Sequence, residues 1–184
     1  MKTIRQQDYT VMPWKNGRGI TREIYRAEHL GAPTWRLSLA EVTSAGPFSR
    51  FPGFERILTV VKGGGMRLVG PGVELEAKRF CPVRFSGDVE LTGYCHSARI
   101  ENFNLIYDPS HVSAEVRMLS DPASSELTCN AGMTLAVHVL RGSVKASNGA
   151  TLNMGDTGIL TSEELLTPNA AGLLCAVVQL TSRA

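Results

Sequence analysis

Three stretches of this chain gather side chains suited to holding an anion. The first, "PWKNGRGITREIYR" (Pro13 to Arg26), sets Trp14, Lys15 and Asn16 around two closely spaced glycines, Gly17 and Gly19. A turn needs the glycines and accommodates the asparagine, but it has no use for an indole and an ammonium group. Behind the turn, alternation puts Thr21, Glu23 and Tyr25 on one strand face and Ile20, Arg22, Ile24 and Arg26 on the other. Burying either face buries charge, and buried charge must be paired or used by a ligand.

The second stretch, "TWRLSLAEV", opposes an apolar set, Trp35, Leu37 and Leu39, to Arg36 and Ser38. An arginine fork beside a hydroxyl suits a carboxylate. A solvated outer strand face would carry the same pattern. The third, "GPFSRFPGFERIL", places Phe48, Phe51 and Phe54 among turn residues, with Ser49 and Arg50 between them and Arg56 just after. Such a segment either walls a barrel mouth with aromatic rings or packs as a compact loop.

Other chemistries lack their patterns. His29, His96, His111 and His138 stand alone, with no H-x-H or H-E-x-x-H spacing, so no metal and no cofactor is expected. His138, inside the apolar run "LAVHVL", reads as a hydrogen-bonded core or interface histidine. Cys81, Cys95, Cys129 and Cys175 are scattered and read as reduced, mostly buried thiols. No G-x-S-x-G is present, and "KGGG" lacks the Lys-Ser/Thr that a phosphate loop requires, so it reads as a tight hairpin turn.

The elements that must carry these residues are strands. Many short runs rich in β-formers, such as "ERILTVVKG", "FNLIY", "LAVHVLRG" and "LLCAVVQL", are punctuated by Gly, Pro, Asn or Ser. That pattern means a sandwich or barrel. Helix is minor, with one turn expected at "SEELL", Ser162 to Leu166. An internal repeat organises the strands: "LTVVKGGGMRLVG" and "VHVLRGSVKASNG" align without gaps, pairing Val60 with Val139, Lys62 with Arg141 and Gly63 with Gly142. The expected fold is therefore all-β, two packed jelly-roll-like barrels with little helix. The chain divides into residues 1–118, which hold the polar motifs, and a smaller unit, 119–184, opening in "LSDPASSEL".

At 184 residues with a formal charge of +2, both signs mixed, the composition offers no basic surface for nucleic acid or a membrane. The N-terminus lacks the apolar centre of a signal peptide and no run approaches membrane-spanning length, so the expected location is cytoplasmic. Bare β edges would allow a homodimer.

"PWKNGRGITREI", "WRLSLAEVTSAGPFSRFPGFERIL", "FSGD" and "ENFNLIYD" resemble, in order and spacing, the HutD/Ves family. The resemblance implies a bicupin fold without the usual cupin metal histidines. It also implies a role in histidine utilisation: binding a pathway intermediate, N-formylglutamate or urocanate, and limiting pathway output, with no established catalytic activity. The positions carried over as ligand-binding are Trp14, Lys15, Asn16, Thr21, Glu23, Arg36, Ser38, Phe48, Ser49, Arg56 and Asn104. Lys15, Arg36 and Arg56 would neutralise a small anionic metabolite, Asn16, Ser38 and Asn104 would hydrogen-bond it, and Trp14 and Phe48 would wall it. The family commonly reads Asp-Phe-Asn where this chain has Asn102, Phe103 and Asn104, so a carboxylate is replaced by an amide. The leading expectation is a non-enzymatic binding protein. The alternatives are a metal-independent isomerase or hydrolase with Glu23 as general base, and a module that binds another protein through its C-terminal barrel.

Overall fold

A computed structural model of the chain describes residues 1–14, 17–120, 127–162, 164–169 and 172–183. Its strands are β1 (Lys2–Ile4), β2 (Thr10–Pro13), β3 (Gly19–His29), β4 (Ala32–Val42), β5 (Gly46–Pro47), β6 (Glu55–Lys62), β7 (Met66–Gly70), β8 (Val73–Ala77), β9 (Val83–Ser86), β10 (Thr92–Cys95) and β11 (Ile100–Tyr107). They continue as β12 (Val112–Ser120), β13 (Leu127–Thr128), β14 (Met133–Arg141), β15 (Ser143–Ala146), β16 (Thr151–Asn153), β17 (Thr157–Leu160), β18 (Leu165–Pro168) and β19 (Leu174–Ser182). Among the described residues the one helical element is a 3-10 turn, Gln6–Asp8, and no helix is long and apolar enough to cross a membrane.

Two compact units result, Tyr9–Ser110 and Met1–Asp8 with His111–Ala184. The division differs from the expected 1–118 and 119–184. β1 pairs with β17, which carries the first residues into the C-terminal unit, and β12 pairs along its length with β19, so Val112–Ser120 belong there too. The expected helical turn at Ser162–Leu166 is also corrected: Leu165 and Leu166 belong to β18, which pairs with β13 and β15. Glu163 lies outside the described residues.

The N-terminal unit closes a six-stranded antiparallel sheet, ordered β2-β3-β4-β11-β6-β9, over a four-stranded one, β5-β10-β7-β8. Side chains from both sheets, including Val42, Leu58, Val60 and Ile100 from one and Met66, Leu68 and Ala77 from the other, meet in an apolar core. The C-terminal unit repeats the plan with sheets β1-β17-β14-β19-β12 and β13-β18-β15-β16 around its own core. The repeat extends to an irregularity. Val61 is the extra residue where β6 pairs with β11, and Leu140, its aligned counterpart, is the extra residue where β14 pairs with β19. Each bulge precedes a basic residue and a glycine with positive φ, Gly63 at 90° and Gly142 at 80°.

Of the cysteines, Cys129 and Cys175 are buried, Cys95 is half-buried and Cys81 is exposed, so the expectation of mostly buried thiols fails at Cys81. Burial pushes the Cys175 thiol up to about 12. His138 is buried, and its Nδ1 lies 2.9 Å from Thr157 Oγ1.

Candidate functional site

A further bulge builds the site. β3 and β4 pair Thr21 with Ala40 and Glu23 with Ser38, then skip Ile24 so that Tyr25 faces Leu37 and Arg26 faces Arg36. Directly paired antiparallel residues share a sheet face. Strict alternation would have kept Tyr25 with Glu23; instead the bulge moves Tyr25 to the Trp35 face, where the ring centroids are 5.0 Å apart, and brings Arg26 to the Glu23 face. The charge on both faces is thereby paired. Arg22 approaches Glu41 and Glu101 on one side, while on the other the Glu23 carboxylate takes Arg26 Nη2 at 2.9 Å and Arg36 Nε at 2.8 Å.

The Glu23 face belongs to the barrel interior, whose far end is apolar and whose near end opens as a cavity of about 440 Å³. Trp14, Thr21, Arg36, Ser38, Phe48, Ser49, Arg56 and Asn104, eight of the sequence-predicted site residues, line it. Glu23 stands behind Arg36, outside the lining. Lys15 and Asn16 lie outside the described residues. The lining also includes Asn102, Phe51, Ala40 and Ile106, which the predicted set lacks. Asn102 was findable, because it sits two residues before Asn104 on a strand and so shares its face.

Two glycines let the aromatic walls approach. A Cβ at Gly19 would fall 2.9 Å from the Trp14 ring, and one at Gly93 would fall 2.4 Å from Phe48. Trp14 is held further by its indole N–H, which donates to Thr21 Oγ1 at 2.8 Å, and by its backbone N–H, which donates to the Gly19 carbonyl.

Arg56 dominates the electrostatics. It is 6% exposed, donates from Nη1 to the Ser49 carbonyl and from Nη2 to Asn104 Oδ1, and lies over the rings of Phe48, Phe51 and Phe85 at 5.0–5.4 Å. Among the described residues no carboxylate pairs with it and its buried Nε has no hydrogen-bond partner. Burial, and then the positive charge of Arg36, push its pKa down to about 10, so it remains a cation at neutral pH. Burial also lowers the Arg36 pKa, with Glu23 opposing. Arg36 Nε, although close to Glu23, is out of line for a hydrogen bond. Arg50, the other arginine of the same loop, is half-exposed and pairs with Glu90. The cavity thus combines two guanidinium groups, aromatic walls and an amide pair, a set that can grip a carboxylate. Among the described residues no group of three or more His, Cys, Asp or Glu side chains could hold a metal ion.

The HutD family model matches residues 6–176. The chain belongs to the HutD family. An uncharacterized 21.2 kDa protein in the hutC 3′ region of Pseudomonas putida is 41% identical over 120 residues, 64% of this chain and 63% of that one. The match therefore spans less than two thirds of that relative. Its position links the family to the histidine-utilisation locus. Among solved structures, HutD from Pseudomonas fluorescens SBW25, in a formate condition, superposes with a TM-score of 0.83 at 31% identity, covering 100% of this chain and 99% of that one. A conserved protein of unknown function from Pseudomonas aeruginosa PAO1 superposes with a TM-score of 0.86 at 32% identity over 98% of both chains. The fold of this HutD-family chain is all-β and cupin-like.

Proposed function

We propose that this protein is a non-enzymatic binding protein whose N-terminal barrel holds a small carboxylate intermediate of histidine degradation, N-formylglutamate or urocanate, and so limits histidine utilisation. The observation that carries the proposal is Arg56, a buried cation on the cavity wall without a carboxylate partner among the described residues. An unpaired buried charge is costly, and a ligand anion is the group that would compensate it. The enzymatic alternative requires Glu23 as a general base. Its carboxylate is instead engaged by Arg26 and Arg36 and stands outside the cavity lining, which supports a role in positioning Arg36.

Calorimetry with N-formylglutamate and urocanate tests the proposal. One of the two acids should bind. A charge-assisted contact contributes ~1.5–3 kcal/mol, so Arg36→Ala should weaken that binding at least about tenfold. Heat from neither acid would refute it.

A further inference from the structure

The donors and acceptors around the cavity are not balanced. A guanidinium only donates, so Asn104 must turn Oδ1 toward Arg56 Nη2, 3.3 Å away. Its Nδ2 is then the donor to Asn102, which must answer with Oδ1. What remains to Asn102 is Nδ2, fully buried on the cavity wall and without a partner among the described residues. The relay from Arg56 through Asn104 to Asn102 therefore ends in a donor, and the chemistry of Arg56 alone sets the orientation of both amides.

The rest of the lining points the same way. Arg56 Nε is a second buried donor without a partner among the described residues, and Arg36 adds a second positive charge. Several acceptors are already engaged: the Ser49 carbonyl takes Arg56, Thr21 Oγ1 takes the Trp14 indole, and Glu23 takes Arg26 while closing on Arg36, which leaves the hydroxyls of Ser38 and Ser49, able to donate as well as accept. An oxygen-rich anion finds partners here, whereas an ammonium group finds two positive charges and, among the described residues, no carboxylate on the cavity wall.

We infer that the cavity discriminates by amine: it takes acids whose α-amino group is absent or acylated and rejects the zwitterionic amino acids, with Asn102 as the specificity-determining residue. The inference rests on the carboxylate-binding reading above. It places the ligand among carboxylic acids without a free α-amine, N-acyl amino acids included.

Calorimetry at pH 7 with two matched pairs, N-formylglutamate against glutamate and urocanate against histidine, tests it. In the pair whose acid binds, the amine-bearing partner should bind at least about tenfold more weakly. Asn102→Asp, which replaces the free donor by an acceptor, should weaken the acid about tenfold and narrow that gap. Should Asn102→Asp fail to fold, Asn102→Ala should weaken the acid with no gain for the amino acid. Equal binding within the pair overturns the inference and leaves the carboxylate site standing; no binding by any of the four compounds overturns both. Unchanged discrimination in a folded Asn102 variant removes Asn102 from the role.

Discussion

The two barrels of this chain share a register and differ in what they enclose. Aligned through the repeat, Arg56 on β6 corresponds to Leu135 on β14, and Leu58 and Val60 correspond to Val137 and Val139. The partner strands follow: Asn102 faces Val60 as Cys175 faces Val139, and Asn104 faces Leu58 as Val177 faces Val137. Where the N-terminal barrel sets an arginine and two asparagines, the C-terminal barrel sets Leu, Val and Cys, all buried in its core. The scaffold thus closes well without the polar set. Interior Arg56, Asn102 and Asn104 are departures from what packing favours, and such departures concentrate where a ligand is held.

The strongest way to break this comparison is to move the charge. Leu135→Arg puts a guanidinium into the apolar core without the rings, amide and carbonyl that receive Arg56, and should destabilise the protein by about 3–5 kcal/mol in urea unfolding. A loss below about 1 kcal/mol would mean that the C-terminal interior tolerates charge and that the contrast is empty. The reverse exchange, Arg56→Leu, should lower affinity for the bound acid about 100-fold, near 2.7 kcal/mol, while raising stability by about 1 kcal/mol. A variant that loses stability along with binding would make Arg56 structural.

Alkaline titration sharpens the same point. The folded pKa of Arg56, about 10, lies well below the ordinary arginine value, so above pH 10 the native state releases a proton that the unfolded chain retains. Stability attributable to Arg56 should rise by roughly 1 kcal/mol between pH 10 and pH 11, read as wild type minus Arg56→Leu, and acid binding should fall over the same range. The smallest effect concerns neither interior. Leu30, 95% exposed with φ at 50°, and Gly31, with φ at 81°, form the two-residue turn between β3 and β4. Leu30→Gly should raise stability by about 0.5–1 kcal/mol in thermal melts and leave ligand binding unchanged.

Much of the site was legible because its signals are local. The alternation of Trp35, Leu37 and Leu39 against Arg36 and Ser38 survives in β4, with the first three buried and the last two on the cavity wall. The aromatic loop after Gly46 does supply Phe48 and Phe51 to the lining. The misses are where a local rule met a long-range constraint. Alternation put Tyr25 beside Glu23 and Arg26 opposite, and the bulge at Ile24 exchanged them. Residue type and setting did not separate Arg50 from Arg56, and only the family resemblance singled out Arg56; in the structure one pairs with Glu90 at the surface and the other is buried under three rings.

By itself the sequence determined the β class, the two similar units, the motifs that meet in one barrel and the family they identify. Those properties follow from period-two patterning, glycine turns and a repeat, all of which are read along the chain. Tertiary structure decided which arginine is buried, that Glu23 answers two guanidinium groups, and that Asn102 presents a donor. Each of these depends on partners brought together across strands, as Arg56 and Asn104 are from positions 48 residues apart, and on the order in which those partners use up one another's hydrogen-bonding capacity.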